Sequence, residues 1–130
     1  MLNTIILVFV GGAIGAMLRE FLMLLVGNAR DGFPLDILVA NLIASLLLGW
    51  VTARHTRKAI SDDVNTMLGT GIAGGLSTFS SFAYGSFVLM SAPKGDPGLA
   101  VLYVVVSIVL GYAAFVAGMK LGGTHKRYSS

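Results

Sequence analysis

The stretch GGLSTFSSFAYG, residues 74–85, lies in one of the most apolar parts of the chain, yet it carries five hydroxyl groups, three aromatic rings and three glycines. It contains no charged residue. A segment that only had to fill a membrane would consist of Leu, Ile and Val. Polar groups inside a membrane-spanning segment are energetically costly and usually face a cavity or a partner helix. The stretch therefore indicates a polar lining at membrane depth.

The composition around this stretch is that of a membrane protein. The chain has 130 residues, of which 55% are hydrophobic and 12% are charged, against roughly 25% charged residues in soluble proteins. Without cysteine, the chain has neither a disulfide framework nor a Cys-based site. The basic residues occupy loops and the tail rather than one stripe, so a nucleic-acid partner is not expected. The length predicts one domain, 1–130.

Four apolar runs occupy residues 4–26, 35–53, 64–90 and 99–121. Each is close to or above the ~20 residues that a helix needs to cross a bilayer. The runs lack the alternation of strands, and the breaks between them contain the Pro, Gly, Asn and Asp of turns. The sequence therefore predicts an all-α membrane protein with four transmembrane helices.

The Lys and Arg residues are distributed unequally between the two sides of such a bundle. The side with both termini and the second loop carries six of them: Arg54, Arg57, Lys58, Lys120, Lys126 and Arg127. The other side carries Arg30 and Lys94. Because cytoplasmic loops are enriched in Lys and Arg, this bias predicts cytoplasmic termini.

The first half of the third run is dense in glycine, with Gly69, Gly71, Gly74 and Gly75. This density is compatible with a broken helix or with a straight, closely packed one, and the sequence leaves both open. A break would free carbonyls at membrane depth, which a bound cation could satisfy. The small residues of the first run indicate helix packing. A bundle of four helices encloses little space, so a homo-oligomer is the favoured way to build a pathway.

No catalytic constellation is evident, so an enzyme is not predicted. Neutral polar residues instead recur every four positions in two further runs and share one helix face in each. They are Asn41, Ser45 and Gly49 in the second run, and Tyr103, Ser107 and Gly111 in the fourth. Hydroxyls, an amide and the slightly positive edges of phenylalanine rings suit a small, hard anion such as fluoride.

Two alternatives stay open at this point. Glu20, next to Arg19, is interpreted as the single acid within the spans. A four-helix drug/proton antiporter would need such an embedded acid. A non-conducting assembly protein would use its serines only to hold helices together.

Three motifs resemble those of the Fluc (CrcB) fluoride channel family: GGAIGAMLRE at 11–20, LVANLIAS at 38–45 and GGLSTFSSF at 74–82. The resemblance covers nearly the whole chain. It implies a passive, fluoride-selective channel in the inner membrane of a prokaryote, which exports cytoplasmic fluoride and so confers resistance to it. It also implies a broken third helix and an antiparallel, dual-topology dimer.

The resemblance further implies roles for individual residues. The fluoride pore would be lined by Asn41, Phe79, Ser80, Ser81, Phe82, Tyr103 and Ser107. Arg19 would lie near a vestibule. The backbone carbonyls of Gly74 and Ser77 would hold a structural sodium ion at the dimer centre.

This chain departs from the family pattern at three places. Ile37, Ala83 and Gly85 stand where the family often has a threonine, a serine and a glutamate. These departures bear on the conduction rate and the polar track rather than on fluoride recognition. The charge bias also fits poorly with insertion in both orientations, so a heterodimer with an oppositely oriented paralogue is a second possible assembly.

Overall fold

The computed structural model describes residues 1–28, 32–91 and 93–123, and these residues form helices and connecting turns without a strand. The predicted loop or tail charges Arg30, Lys126 and Arg127 lie outside the described residues. Four helical stretches are long and apolar enough to cross a membrane, which confirms the predicted four spans. They are Leu2–Val26, Leu35–Thr56, Asp62–Ser91 and Pro97–Gly123.

The first, second and fourth spans are single helices: α1 (Leu2–Val26), α2 (Leu35–Thr56) and α6 (Pro97–Gly123). The third span consists of α3 (Asp62–Asn65), a π-helical segment (Thr66–Ala73), α4 (Gly74–Leu76) and α5 (Phe79–Ser91). Between α4 and α5, Ser77 has extended backbone angles, φ −74° and ψ 153°. Ser77 and Thr78 are the two residues of this span outside any helix.

Local sequence explains where several helices begin and end. Gly27 follows α1 with φ 63°, a left-handed conformation that glycine adopts without strain. The Ser61 hydroxyl accepts a hydrogen bond from the Val64 N–H at 3.2 Å and so caps the third span. The Asp96 carboxylate accepts from the Gly98 N–H at 2.8 Å and caps α6, whose first residue is Pro97.

Helices α2 and α6 approach each other closely through glycines. A Cβ atom added to Gly118 would lie 2.9 Å from the Trp50 backbone nitrogen. A Cβ atom on Gly122 would lie 2.6 Å from the Trp50 carbonyl oxygen, and one on Gly49 would also be too close to the Phe115 backbone. Any side chain at these positions would force the two backbones apart. Gly49 was predicted to share a polar face with Asn41 and Ser45. In the structure it packs against α6 and does not line a pathway.

Helix α1 packs in the same way against the third span. A Cβ atom on Gly11 would lie 2.6 Å from the Met67 carbonyl oxygen, and one on Gly15 would lie 2.8 Å from the Leu76 nitrogen. From the opposite side, a Cβ atom on Gly71 would lie 2.9 Å from the Gly11 Cα. By contrast, a Cβ atom on Gly74 would meet no atom within 4 Å. Part of the glycine density thus serves close packing, as small residues do between membrane helices.

The buried core lies between α2, α5 and α6. Leu38, Leu89, Ala100 and Tyr103 form it, and Phe33 and Phe82 pack against it. This core fixes α5 against α6, so it positions the aromatic part of the opening stretch.

Candidate functional site

Asn41 on α2 lies opposite the interruption between α4 and α5 and binds both backbone groups of Thr78. Its Oδ1 accepts a hydrogen bond from the Thr78 N–H at 2.8 Å, and its Nδ2 donates to the Thr78 carbonyl at 3.5 Å. Backbone groups outside a helix at membrane depth must be satisfied by other parts of the protein. Asn41 does this for Thr78, and the amide nitrogen retains a second proton for a further acceptor.

The Thr78 hydroxyl joins the polar side chains that follow it. Its Oγ1 accepts from the Ser81 N–H at 3.1 Å, which makes Thr78 the N-cap of α5. The same oxygen lies 3.1 Å from Ser81 Oγ and 3.2 Å from Ser80 Oγ. Thr78 was not among the site residues predicted from the sequence. A threonine directly before a helical segment is an N-cap signal, and this signal could have identified it.

The aromatic rings run from the surface of the chain into its core. The Phe79 side chain is largely exposed, with 81% relative accessibility, and its ring centroid lies 6.0 Å from that of Phe82. Phe82 in turn lies 5.4 Å from Tyr103, and Tyr103 meets Phe33 edge to face at 5.3 Å. The structure therefore brings three of the predicted pore residues into one aromatic row.

Two hydroxyl groups of α6 are buried without a hydrogen-bond partner among the described residues. They belong to Tyr103, which is fully buried, and to Ser107 one turn further along α6. Buried polar groups without a partner are rare in folded proteins. The two hydroxyls are close enough to interact with each other, and between them they keep at least one proton to donate to a ligand.

Arg19 on α1 reaches the other side of the interruption. Its Nη1 donates to the Gly75 carbonyl at 3.3 Å, and its Nε lies 3.7 Å from Glu20 Oε1. A cation suits the carbonyl end of a helical segment, where the backbone dipoles place partial negative charge. The Glu20 side chain is 67% exposed and faces away from the interior of the chain.

Gly74 and Ser77, the predicted sodium ligands, are both exposed on the outer surface of the chain. The Ser77 hydroxyl donates to the Gly74 carbonyl at 3.4 Å. They border a cavity of about 160 Å³ next to α2. Its lining consists of Ala44, Ser45, Leu48, Gly69, Ala73, Gly74 and Ser77.

Two of the three departures from the family pattern are neighbours in the structure. A Cβ atom on Gly85 would lie 2.9 Å from the Pro34 side chain and 3.6 Å from the Ile37 side chain. Gly85 and Ile37 are both buried, whereas Ala83 is exposed. A long side chain at position 85 does not fit this arrangement, because Pro34 at the start of α2 occupies the space.

Asp36 is a second polar residue, besides Thr78, that was not predicted from the sequence. It is only 7% exposed, and it lines a cavity with Ser81 and Tyr84. Asp36 is the second residue of the apolar run 35–53, so the expectation that Glu20 is the single acid of the spans was wrong. Its burial depends on how α2 packs against α5, which a linear pattern does not reveal.

Residues 6–119 match the family described as "CrcB-like protein, Camphor Resistance (CrcB)". The chain is 62% identical over 122 residues to the "Fluoride-specific ion channel FluC 1" of Brucella abortus, which covers 94% of this chain but 45% of that protein. The chain thus spans less than half the length of the Brucella relatives that it matches.

Other relatives are of similar length to this chain. It is 49% identical over 124 residues to the "Fluoride-specific ion channel FluC 3" of Yersinia pseudotuberculosis, covering 95% of this chain and 92% of that protein. It is also 40% identical over 114 residues to the "Fluoride-specific ion channel FluC" of Deinococcus radiodurans, covering 86% and 89% respectively. With four membrane-length helices and a family match over most of its length, the chain is a multi-pass membrane protein that belongs to the CrcB family.

Proposed function

We propose that this chain forms a passive, selective fluoride channel that lets cytoplasmic fluoride leave the cell down its electrochemical gradient. The proposal agrees with the names of the relatives, each of which is called a fluoride-specific ion channel. Hydrogen fluoride is a weak acid that crosses lipid in its neutral form and dissociates inside the cell. A passive pathway for the anion, aided by a negative interior, would relieve this accumulation and confer resistance to fluoride.

The observation that carries the proposal is the collection of neutral donors at the start of α5. This helix begins at Phe79 in the middle of the third span, and its N-terminal end bears partial positive charge. The Ser80 and Ser81 hydroxyls, the free proton of the Asn41 amide and the edges of Phe79 and Phe82 lie around this point. Such a set stabilises a small anion through dipoles without holding it by a full opposite charge.

The pathway as proposed runs along the aromatic row. Fluoride would exchange water for ring edges and hydroxyls at Phe79 and Phe82, and then reach the hydroxyls of Tyr103 and Ser107. Each position offers neutral donors and no full positive charge, so the ion is neither trapped nor left without partners. Arg19 would act at a distance by fixing the Gly75 carbonyl at the interruption.

The exposed polar groups of the third span support assembly as a dimer. Gly74, Ser77 and Ser80 all face outward at the middle of the membrane-spanning segment. Exposing such groups to lipid is unfavourable, because lipid offers no hydrogen-bond partner. A second copy in antiparallel orientation would cover them and place two interruptions side by side. A heterodimer with an oppositely inserted paralogue would cover the same surface and would fit the charge bias of the loops.

The same surface would hold a structural sodium ion at the dimer centre. The carbonyl oxygens of Gly74 and Ser77 are hard ligands suited to a hard cation. Both residues are exposed, and the extended backbone of Ser77 releases its carbonyl from helical hydrogen bonding. Two copies would supply four carbonyls, which a single chain does not.

Fluoride efflux from liposomes that contain the purified protein tests this function. We expect rapid efflux, recorded with a fluoride electrode, that does not depend on an imposed proton gradient. Replacing Phe79 by Ile removes a ring edge and is expected to lower the rate by about tenfold or more. The matched control is Phe87→Ile, which makes the same change at another exposed position of α5.

Two results would argue for other functions. Proton-coupled export of an organic cation that is lost in Glu20→Gln would identify an antiporter. No transport of either kind, with a correctly assembled protein, would favour a non-conducting assembly role.

A further inference from the structure

The Asp36 carboxylate is a buried acid that the proposed fluoride pathway does not use. Among the described residues, Asp36 and Thr78 are the two polar or charged residues that are buried. One oxygen of Asp36 accepts a hydrogen bond from the Ile37 N–H at 2.8 Å. Its position in the first turn of α2 makes a negative charge tolerable, because the helix dipole is positive there. The dipole does not explain why the carboxylate borders a cavity.

That cavity connects Asp36 to the start of α5. Its volume is about 220 Å³, which is room for several water molecules at roughly 30 Å³ each. Its polar walls are Asn28, Asp36, Ser81 and Tyr84. Ser81 is hydrogen-bonded to Thr78, so the cavity leads directly to the hydroxyl cluster of the proposed pathway.

No cation neutralises Asp36 within the part of the chain that the structure describes. The described residues that line the cavity include no Lys or Arg. The two ion pairs found among the described residues are Arg19–Glu20 and His55–Asp62, and neither involves Asp36. A carboxylate charge in a site this little exposed acts strongly on nearby ions, because little solvent screens it.

We propose that Asp36 sets the rate at which fluoride enters or leaves this end of the pathway. Its carboxylate repels the anion in the cavity, so it limits entry while the hydroxyls and ring edges beyond it determine recognition. This inference rests on the proposed fluoride channel. In this proposal Asp36 limits the rate of fluoride entry through its charge and is not a ligand of the ion.

Fluoride efflux by Asp36→Asn in liposomes tests the proposal, with efflux measured over a range of fluoride concentrations. Removing the charge is expected to raise the initial rate at low fluoride by on the order of tenfold. The maximal rate at high fluoride should change much less, because repulsion in the cavity slows entry of the ion, and entry limits the rate only when fluoride is scarce. Asp36→Ser is a second neutral variant that keeps an oxygen to accept the Ile37 N–H.

The matched control is Asp96→Asn, which removes a negative charge at the same end of the bundle. Asp96 is exposed and caps α6, and asparagine caps a helix equally well. We expect efflux by this variant to equal that of the unaltered protein. An equal rise in both variants would indicate a general surface-charge effect and overturn the proposal.

Unchanged or slower efflux by the neutral Asp36 variants would also overturn it. Failure of both variants to assemble, judged by size-exclusion chromatography, would assign Asp36 to stability instead. Absence of fluoride transport by the unaltered protein would reject the proposed function itself, so the two failures are distinguishable.

Discussion

At the scale of single residues, Asn41 and Thr78 are hydrogen-bonded to each other, and the resemblance implied a role only for Asn41. Asn41 was predicted as a pore amide, and the structure shows it bound to the N–H and carbonyl of Thr78. It can therefore offer an anion one remaining proton rather than the whole amide group. Thr78, which was not predicted, connects Ser80 and Ser81 through its hydroxyl.

Replacing Thr78 by Val removes this hydroxyl while the side-chain volume stays nearly the same. We expect the loss of the helix cap to cost about 1 kcal/mol, which thermal unfolding in detergent will register as a lower apparent melting temperature. Fluoride efflux should also fall, because Ser80 and Ser81 lose the oxygen that orients them. Thr78→Ser is the control and should retain both properties. A Val variant as stable and active as the unaltered protein would contradict this role.

The residues of the site were not equally predictable. Phe79, Phe82 and the serines between them are anomalous in an apolar run, so the sequence alone identified them. Asp36 and Thr78 are not anomalous in that way, because each lies next to a helix start where polar residues are common. What distinguishes them is that they are only 7% and 8% exposed, which is a property of packing.

At the scale of elements, glycines set the distance between α2 and α6. Gly49, Gly118 and Gly122 each lie against the backbone of the opposite helix. The sequence placed Gly49 and Gly111 at the ends of two polar faces, but these two glycines differ. Gly111 has room for a methyl group, since an added Cβ would lie 3.8 Å from Ser45 Oγ, an ordinary van der Waals contact.

Substituting Ala at Gly118 tests this packing. The added methyl group meets the backbone of α2, which cannot move aside as a flexible side chain would. We expect a loss of about 1–3 kcal/mol, typical of overpacking, measured by unfolding in detergent. Gly111→Ala makes the same change on the same helix and should be neutral or stabilising by up to roughly 1 kcal/mol. Equal stabilities of the two variants would show that α2 and α6 do not pack as described.

At the scale of the whole molecule, the chain leaves part of its functional surface uncovered. Phe79, Ser80 and the sodium ligands proposed above lie on the outside of a single copy. In the proposed channel, a second copy would complete these walls.

Removing sodium tests the proposed ion at the dimer centre. If carbonyls from two copies bind it, replacing sodium on both sides of the membrane by a bulky organic cation should slow fluoride efflux. The effect should reverse when sodium is restored, and the fluoride electrode records both steps. Potassium serves as a control for simple changes in membrane potential. Full efflux after thorough sodium removal would contradict the sodium site and would indicate that this segment serves packing only.

The sequence by itself determined the four membrane spans, because about twenty consecutive apolar residues have no stable alternative to crossing a bilayer as a helix. It also predicted a polar lining at 74–85, since hydroxyls at membrane depth are costly unless they face a cavity or a partner helix. Only the tertiary structure decided which atoms satisfy that stretch: the Asn41 amide and the Thr78 hydroxyl at the interruption, and the Asp36 carboxylate beside Ser81. These contacts join residues far apart in the chain, and their geometry follows from close helix packing, which a linear pattern does not contain.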